Sequence, residues 1–368
     1  MRKLLAALLT LCLLPLAGCY DAVDLNEQIF AVNLALDIGD DAPLCLTVQY
    51  PQIVPNGREP AQGNEDLQKN GYVLHQVQGD TPQQCLQLLR MVTPRRLSLM
   101  QLRGLYLSEA LAQDQVLLQS CIGALTGEHT ARPAALLFIT RGRAEEVLRA
   151  QLPLFGARLS KAQGAQTAAL QHQGVIPQAT LGRFSAALRE GTGGAAILAA
   201  VNKQHPADAQ AAQPASLLAG DLPRRTADDV DLCGSALIGK DGLLLLTGYE
   251  TQLLNLLTGD LRTLELPADG VYVEVTLRRA PRITVETDGE TPLFTVRLPL
   301  HVHAADASPY AERLLRDITA LLLKLQQNGL DPLNLAARAR AKVLTLHVWR
   351  QLDWTTLYAK ATWVVALD

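Results

Sequence analysis

The amino terminus constrains this chain most, because it places a short apolar run directly before a cysteine. Arg2 and Lys3 give the chain a positive start, and residues 4–16 carry no charge and are mostly Leu and Ala. This run is too short to cross a bilayer as a permanent helix, which takes about 20 apolar residues. Its length and flanking charges are typical of a secretory signal. We therefore expect residues 1–18 to be a signal peptide.

The end of this run predicts a lipid attachment site. Leu16-Ala17-Gly18-Cys19 resembles the bacterial lipobox, in which the cysteine thiol receives a diacylglyceryl group and the chain is cut just before it. One acyl chain binds a membrane only marginally, whereas two give a stable anchor. We expect Cys19 to hold the chain on the outer side of a membrane. No later segment is apolar for long enough to cross one.

Length and charge narrow the class of protein. A chain of 368 residues suggests two or three domains at about 100–200 residues each. The hydrophobic content of 48% is ample for packed cores, and because aromatic residues make up only 4%, Leu, Val, Ile and Ala must fill them. A net charge of -3 argues against a nucleic-acid partner.

The cysteines of the mature chain are interpreted as core residues. Cys45, Cys85, Cys121 and Cys233 each lie among apolar neighbours, where a thiol behaves as a small hydrophobic group. Disulfides stay possible outside the cytoplasm, but four cysteines allow three pairings and their spacing does not choose among them.

The region from residue 19 to residue 202 reads as a series of short strands and helices. Ile29 to Leu36 and Leu44 to Tyr50 form a predicted hairpin, and residues 51–71 are loop-like. The further predicted elements are helices opened by Thr81 and Ser108, strands over 102–108, 134–140 and 195–201, and helices over 143–152 and 177–191. We expect two α+β subdomains here, meeting between residues 70 and 130.

The amino-acid composition of residues 203–231 differs from that of the regions on either side and predicts a linker. They are rich in Ala, Gln, Pro and Asp and show little periodicity. Asp228, Asp229 and Asp231 could suggest a metal site, but no further ligands are spaced to complete one. The sequence favours a solvated linker end.

Residues 232–368 predict a C-terminal α+β domain. A hairpin turns at Lys240-Asp241-Gly242, and the strands over 271–278 and 294–302 alternate apolar and polar residues. Ser308 and Asp331 each open a predicted helix before a proline, and residues 361–367 form a last strand. No strand–helix–strand rhythm is evident, so we expect three consecutive α+β domains with mostly antiparallel or mixed sheets flanked by helices.

The residues that could carry chemistry do not form a recognisable catalytic pattern. His301 and His303 share a strand face, but two ligands beside Arg297 do not make a metal site. Trp349 and Trp354 are interpreted as core residues, and Glu250 as a carboxylate at a helix start with no partner nearby. We expect no enzyme activity, no cofactor and no metal site.

The order of motifs along the mature chain resembles the Ger(x)C family of spore germination lipoproteins. After the lipidated cysteine that family has a C-W-D-x-x-E-L-N-E run and then Gly-Ile-Asp. The matching residues are Asp21, Leu25, Asn26, Glu27 and Asp37, whereas Tyr20, Asp24 and Ala35 depart from the pattern. Further stretches that resemble the family are 94–114, 132–148, 234–259 and 325–367, with departures at Gln101 and Ala336.

The resemblance implies a subunit that acts by protein contacts. Its relatives are the C subunits of nutrient germinant receptors, with three α+β domains outside the inner spore membrane and membrane A and B subunits as partners. The resemblance does not say whether this subunit itself contacts the germinant. An extracytoplasmic solute-binding lipoprotein is the alternative, although that class has two strand–helix–strand lobes. A surface hydrolase is disfavoured because no nucleophile and base are paired.

Overall fold

The structure is a computed structural model in which residues 2–3, 24, 27–51, 72–93, 95–127, 131–151, 159–203, 217–223, 229–240, 242–268, 271–287, 291–342, 347, 349 and 352–367 are described. Cys19 and most of the predicted signal peptide, the loop over 52–71 and much of the predicted linker lie outside these residues.

An eight-stranded mixed sheet organises the first two thirds of the chain, with the strand order β10-β9-β8-β7-β6-β2-β3-β4. Its strands are β2 (Asn33–Ile38), β3 (Leu44–Pro51), β4 (Tyr72–Gly79), β6 (Gly104–Ser108), β7 (Leu136–Arg141), β8 (Gly194–Asn202), β9 (Asp229–Gly239) and β10 (Gly242–Leu246). The adjacent strands β2, β6, β7 and β8 are parallel, and the outer pairs are antiparallel. We call the end of the sheet where these four strands begin the amino edge, and the end where they finish the carboxyl edge.

Helices cover both faces of this sheet. They are α1 (Pro82–Val92), α2 (Glu109–Gln113), α3 (Gln115–Thr126), α4 (Ala144–Ala150), α5 (Leu159–His172) and α6 (Leu181–Glu190). Helices α2 to α6 connect parallel strands, which corrects the expectation that no strand–helix–strand rhythm is present. The predicted strands over 102–108, 134–140 and 195–201 have predicted helices between them, but local patterns do not specify that these strands pair in parallel. Mixed sheets flanked by helices confirm the predicted fold class, while the number of domains stays a prediction.

Two hydrophobic clusters fill the two faces of the sheet. In β6, Leu105 and Leu107 join the cluster under α1, α3 and α6, whereas Tyr106 between them joins the cluster under α4. This alternation follows from the two-residue period of a strand. Tyr106 stacks on Phe138 of β7, with ring centroids 4.3 Å apart. The four described mature cysteines are free and buried, which confirms their interpretation as core residues.

The predicted first strand divides in two. The first part, β1 (Gln28–Phe30), pairs in parallel with β5 (Arg96–Ser98), and the second part becomes β2 of the large sheet. The break falls at Ala31 and Val32, whose amides donate to Ser98 O at 3.0 Å and Gln49 O at 2.8 Å. The chain therefore changes partner strands within two residues, a change that alternation of apolar residues cannot signal.

Strand β9 begins inside the predicted linker and belongs to the large sheet. Asp229 is its first residue, and the strand pairs with β8 from Asn202 back to Gly194. Ala219 is fully buried and donates its amide to Cys233 O at 3.0 Å. The division into domains at residues 203 and 232 stays a prediction, but the strands on both sides of it share one sheet.

The prediction of a solvated aspartate cluster is wrong for Asp231. Its side chain is fully buried, and its Oδ2 accepts from Asn202 Nδ2 at 2.8 Å and from Gly220 N at 3.1 Å. Asp229 is half-buried, and Asp228 lies outside the described residues. A buried carboxylate with such donors holds the segment before β9 against β8.

The last third of the chain forms two three-stranded sheets packed with helices. The strands are β11 (Thr263–Ala268), β12 (Val271–Leu277) and β15 (Leu300–Val302) in one sheet, and β13 (Arg282–Glu286), β14 (Leu293–Leu298) and β16 (Thr362–Leu367) in the other. The helices are α7 (Gly248–Thr258), α8 (Ser308–Gln327), α9 (Leu335–Arg340) and α10 (Trp354–Lys360). Their apolar faces form a third cluster, to which α8 contributes Leu314, Ile318, Leu321, Leu322 and Leu325.

Two predicted helix starts need correction. Ser308 is the first residue of α8 rather than its cap, and its amide donates to Asp306 Oδ1 at 3.0 Å. The second helix, α9, begins at Leu335 rather than beside Pro332. Asp331 still caps it, because its two carboxylate oxygens accept from the amides of Leu335 and Ala336, each at 2.8 Å.

We expect Gly234→Ala to destabilise the protein by about 2 to 4 kcal/mol. Gly234 lies within β9 at a φ of +89°, and a Cβ there would meet the backbone oxygen of Leu246. Gly123→Ala is the control, because Gly123 lies in α3 with nothing within 4 Å of its Cβ position and should gain up to about 1 kcal/mol. Urea unfolding measures both. Equal stability of the two variants would contradict the described path of β9.

Candidate functional site

The predicted lipidation site, Cys19, lies outside the described residues. The nearest described residues after it are Asp24 and Glu27, both exposed, and β1 follows directly. Within the part of the chain that the structure covers, no helix combines the length and apolar character needed to cross a membrane. Lipidation of Cys19 therefore stays a prediction.

A cleft opens at the carboxyl edge of the large sheet. Its volume is about 390 Å³, and it lies between the ends of β2, β6 and β7. The lining residues are Asp37, Ile38, Ser108, Glu109, Ala110, Gln113, Gly142 and Arg143. In sheets with parallel strands, ligands commonly bind at this edge. A cleft of this size could hold a small polar molecule.

Asp37 fixes one wall of the cleft. Its carboxylate is 1% exposed, and it accepts from the backbone amides of Ala144 at 2.7 Å and Glu145 at 3.1 Å. Burial raises the pKa of Asp37, while these two hydrogen bonds act in the opposite direction. Asp37 thus joins the end of β2 to the start of α4, which is a structural role for a residue that matches the family pattern.

The other charged groups of the cleft are more exposed. Arg143, between β7 and α4, forms an ion pair at 3.3 Å with Asp40, which lies in the turn between β2 and β3. Ser108 caps α2 by accepting from Leu111 N at 3.4 Å, as predicted from the sequence. The lining of the cleft therefore includes an acidic group, Glu109, and a basic group, Arg143.

A polar cluster is buried on the face of the sheet that carries Tyr106. The hydroxyl of Tyr106 accepts from Gln151 Nε2 at 2.6 Å and from Gln163 Nε2 at 2.7 Å, and Asn33 Nδ2 donates to Gln49 Oε1 at 2.7 Å. Among the residues described, no partner faces Asn33 Oδ1 or Gln163 Oε1. These side-chain hydrogen bonds join β2, β3 and β6 to α5. The cluster therefore stabilises the packing of α5 on the sheet, and it does not line a cleft.

The histidine pair has a different neighbour from the one predicted. His301 and His303 have ring centroids 4.5 Å apart, but Arg297 lies in β14 of the other sheet. Arg278 takes its place and donates to His301 Nδ1 at 2.8 Å. Partial desolvation and the charge of Arg278 lower the pKa of His301. The described residues contain no group of three or more potential metal ligands.

The tryptophans and Glu250 have structural roles. Trp349 and Trp354 pack against the C-terminal cluster, with their ring centroids 5.7 Å apart, as predicted. Glu250 completes a capping box with Thr247 at the start of α7, which confirms a helix-start carboxylate. The expectation that it has no partner is wrong, since Lys324 Nζ lies 2.7 Å away. Lys324 is far away in sequence, which hides the pair.

A joint between the two parts of the chain centres on Leu330 and Asp331. Leu330 fits against Gly193 and Gly239, where a Cβ would lie only 2.8 Å and 2.7 Å from its Cδ2 atom. Asp331 N donates to Thr192 O at 2.9 Å while its carboxylate caps α9. The glycines therefore allow the C-terminal part to approach the turn between α6 and β8. Burial raises the pKa of Asp331 to about 6 and outweighs the lowering effect of the amide hydrogen bonds.

Comparisons with known proteins give the family. A model described as the spore germination protein N-terminal domain matches residues 21–203. Spore germination protein A3 of Bacillus subtilis (strain 168) is 26% identical over 137 residues, which cover 37% of this chain and 35% of that protein. The match thus spans about a third of that relative's length.

A solved structure supports the same grouping at the level of the fold. The crystal structure of the GerBC protein is similar with a TM-score of 0.50 and 15% identity, over 91% of this chain and 95% of that one. The chain belongs to the Ger(x)C family of spore germination proteins.

We expect the stability of the native protein to decline, relative to Asp331→Asn, as the pH rises from 4 to 7. The raised pKa means that the protonated form of Asp331 is favoured in the folded protein, so its contribution is complete below pH 4 and lost through about pH 6. The difference in unfolding free energy between the native protein and Asp331→Asn should change by about 2 to 3 kcal/mol over this pH range, because a pKa shift of one unit corresponds to about 1.4 kcal/mol. Urea unfolding at several pH values measures it. A difference that stays constant or grows with pH would refute this assignment.

Proposed function

We propose that this chain is the lipid-anchored C subunit of a nutrient germinant receptor in bacterial spores. The match of residues 21–203 to the spore germination family carries the proposal. The GerBC-like fold supports it, and the lipobox pattern around Cys19 adds a means of attachment. The protein would lie on the extracytoplasmic face of the inner spore membrane.

The proposed mode of action is protein contact at the membrane surface. The lipid on Cys19 confines the protein to two dimensions, which raises its effective concentration near other membrane proteins. Its partners would be the membrane A and B subunits of the receptor, and their assembly would trigger germination. In this proposal the packed body provides contact surfaces and takes part in no covalent chemistry.

The carboxyl-edge cleft favours a second candidate, an extracytoplasmic solute-binding lipoprotein. Glu109 and Arg143 on its walls could bind the amino and carboxylate groups of a small zwitterion. Thermal unfolding with a panel of amino acids and sugars separates the candidates. A concentration-dependent rise of the melting temperature that Glu109→Gln abolishes would support solute binding, and no shift with any of them would contradict it.

We expect Cys19→Ala to abolish lipid attachment and weaken the response of spores to nutrients. Mass spectrometry of protein purified from spore membranes should show a diacylglyceryl group on a chain that begins at Cys19. The variant should show an uncut leader with no lipid, and its germination rate should fall several-fold.

Cys12→Ala is the matched control, because Cys12 lies in the same leader but outside the lipobox. It should be processed and lipidated like the native chain. A bare thiol on the native protein would contradict the anchor. Normal germination of Cys19→Ala spores would contradict its importance for receptor function.

A further inference from the structure

An exposed surface at the amino edge combines arginines with large apolar side chains. Between residues 81 and 108 the sequence holds four arginines and no acidic residue. We call this surface the basic rim, and its exposed residues are Arg90, Met91, Val92, Arg95, Arg96, Met100 and Arg103. Met91 is 79% exposed, Val92 52% and Met100 67%. Exposed apolar groups collected in this way mark a contact surface.

The fold places the basic rim beside the point where the chain emerges from its amino terminus. In the parallel ladder of β1 and β5, Gln28 lies opposite Arg96, and Phe30 lies opposite Ser98. Leu97 between them is buried, so Arg96 faces outward. Helix α1 ends at Val92, just before β5, and Arg103 N donates to Val32 O at 2.7 Å just before β6. The whole rim therefore lies at one end of the sheet.

The length of chain before β1 limits how far the basic rim can be from a membrane. Cys19 and Glu27 are eight residues apart in sequence. Eight extended residues span at most about 29 Å, at about 3.6 Å each. If Cys19 carries lipid, as the proposed function holds, the start of β1 and the part of the rim paired with it stay within about 29 Å of the lipidated residue. The tether itself carries the acidic residues Asp21, Asp24 and Glu27, and Glu27 directly precedes Gln28, which lies opposite Arg96.

We propose that the basic rim docks the protein body directly onto anionic phospholipid headgroups. Each arginine held near an anionic membrane strengthens attraction by about fivefold, and the field fades within a Debye length of about 8–10 Å. Because the tether spans at most about three Debye lengths, it lets the rim approach the membrane to the distance at which this attraction acts. Met91 and Met100 can enter the headgroup layer while arginine side chains reach the phosphates. Lipid and rim together give two attachments and thus a fixed orientation.

Docking by the amino edge determines which surfaces stay free. The carboxyl-edge cleft lies at the opposite end of the parallel strands, so it would face away from the bilayer. Contacts with soluble segments of other proteins would then be made by the carboxyl edge and the flanks of the sheet. The docking proposal rests on lipidation of Cys19 and adds an orientation to it.

Hydrogen exchange on the full lipidated chain in vesicles tests the docking. Vesicles of phosphatidylcholine alone are compared with vesicles that also contain phosphatidylglycerol. We expect the amides of residues 90–103 to exchange at least about threefold more slowly on the anionic vesicles. The difference should vanish at high salt, where screening is short-ranged.

A charge-reversed variant and a matched control make the test specific. Arg95→Glu with Arg96→Glu should remove the protection and leave the melting temperature unchanged, because both side chains are exposed. Arg279→Glu with Arg282→Glu makes the same change in net charge at two exposed positions of the C-terminal part and should keep the protection.

The outcomes separate the docking from the anchor. Failure of the native chain to float with any vesicle would contradict the lipid anchor itself. Flotation without slower exchange of residues 90–103 on anionic vesicles would overturn the docking alone. Protection that appears only when receptor A and B subunits are added would also overturn it, because the rim would then be a protein interface.

Discussion

The ladder between β8 and β9 is the interaction on which the rest of the structure depends. Strand β9 contributes to all three hydrophobic clusters: Ala236 and Ile238 to the cluster under α1, Val230 to the cluster under α4, and Leu237 to the C-terminal cluster. A strand buried on both faces must be paired along both edges, and β8 and β10 supply those pairings. The buried carboxylate of Asp231 and the glycine at 234 set where this strand begins and bends. Packing in the two parts of the chain is therefore linked.

Local patterns predicted much of the secondary structure. The caps at Thr81 and Ser108, the turn at Lys240 and the alternation of β12 and β14 act within a few residues, and the structure confirms them. The single strand predicted over 294–302 is wrong in extent, because β14 ends at Leu298 and residues 300–302 form β15 of the other sheet. The features that the sequence did not predict depend on contacts between residues far apart in the chain. The pairing of β1 with β5, the Glu250 and Lys324 ion pair and the burial of Asp231 each need a partner that no local pattern specifies.

The contrast between local patterns and long-range contacts also applies to the candidate sites. The lipobox at Cys19 is a linear motif and needs no fold to be recognised, so the sequence alone predicts it. The gap in acidic residues over 81–108 is equally visible in the sequence, but it means little until β5 lies beside β1. Asp37 fits a family pattern in the sequence, and only the fold shows that its buried carboxylate caps α4. The sheet is observed in the structure, whereas the tether at its amino edge and the free carboxyl edge belong to the proposed function and the docking proposal.

Native-state hydrogen exchange of the described core strands tests the linkage most directly. If β9 joins the two parts, the amides of Leu232 and Ala236 should exchange with the same free energy as those of Leu137 and Ile139 in β7, through global unfolding. The amides of β14 should follow the same cooperative event. A lower free energy of exchange for β9 than for β7 would show that β9 opens separately, and it would contradict the account of a single linked body.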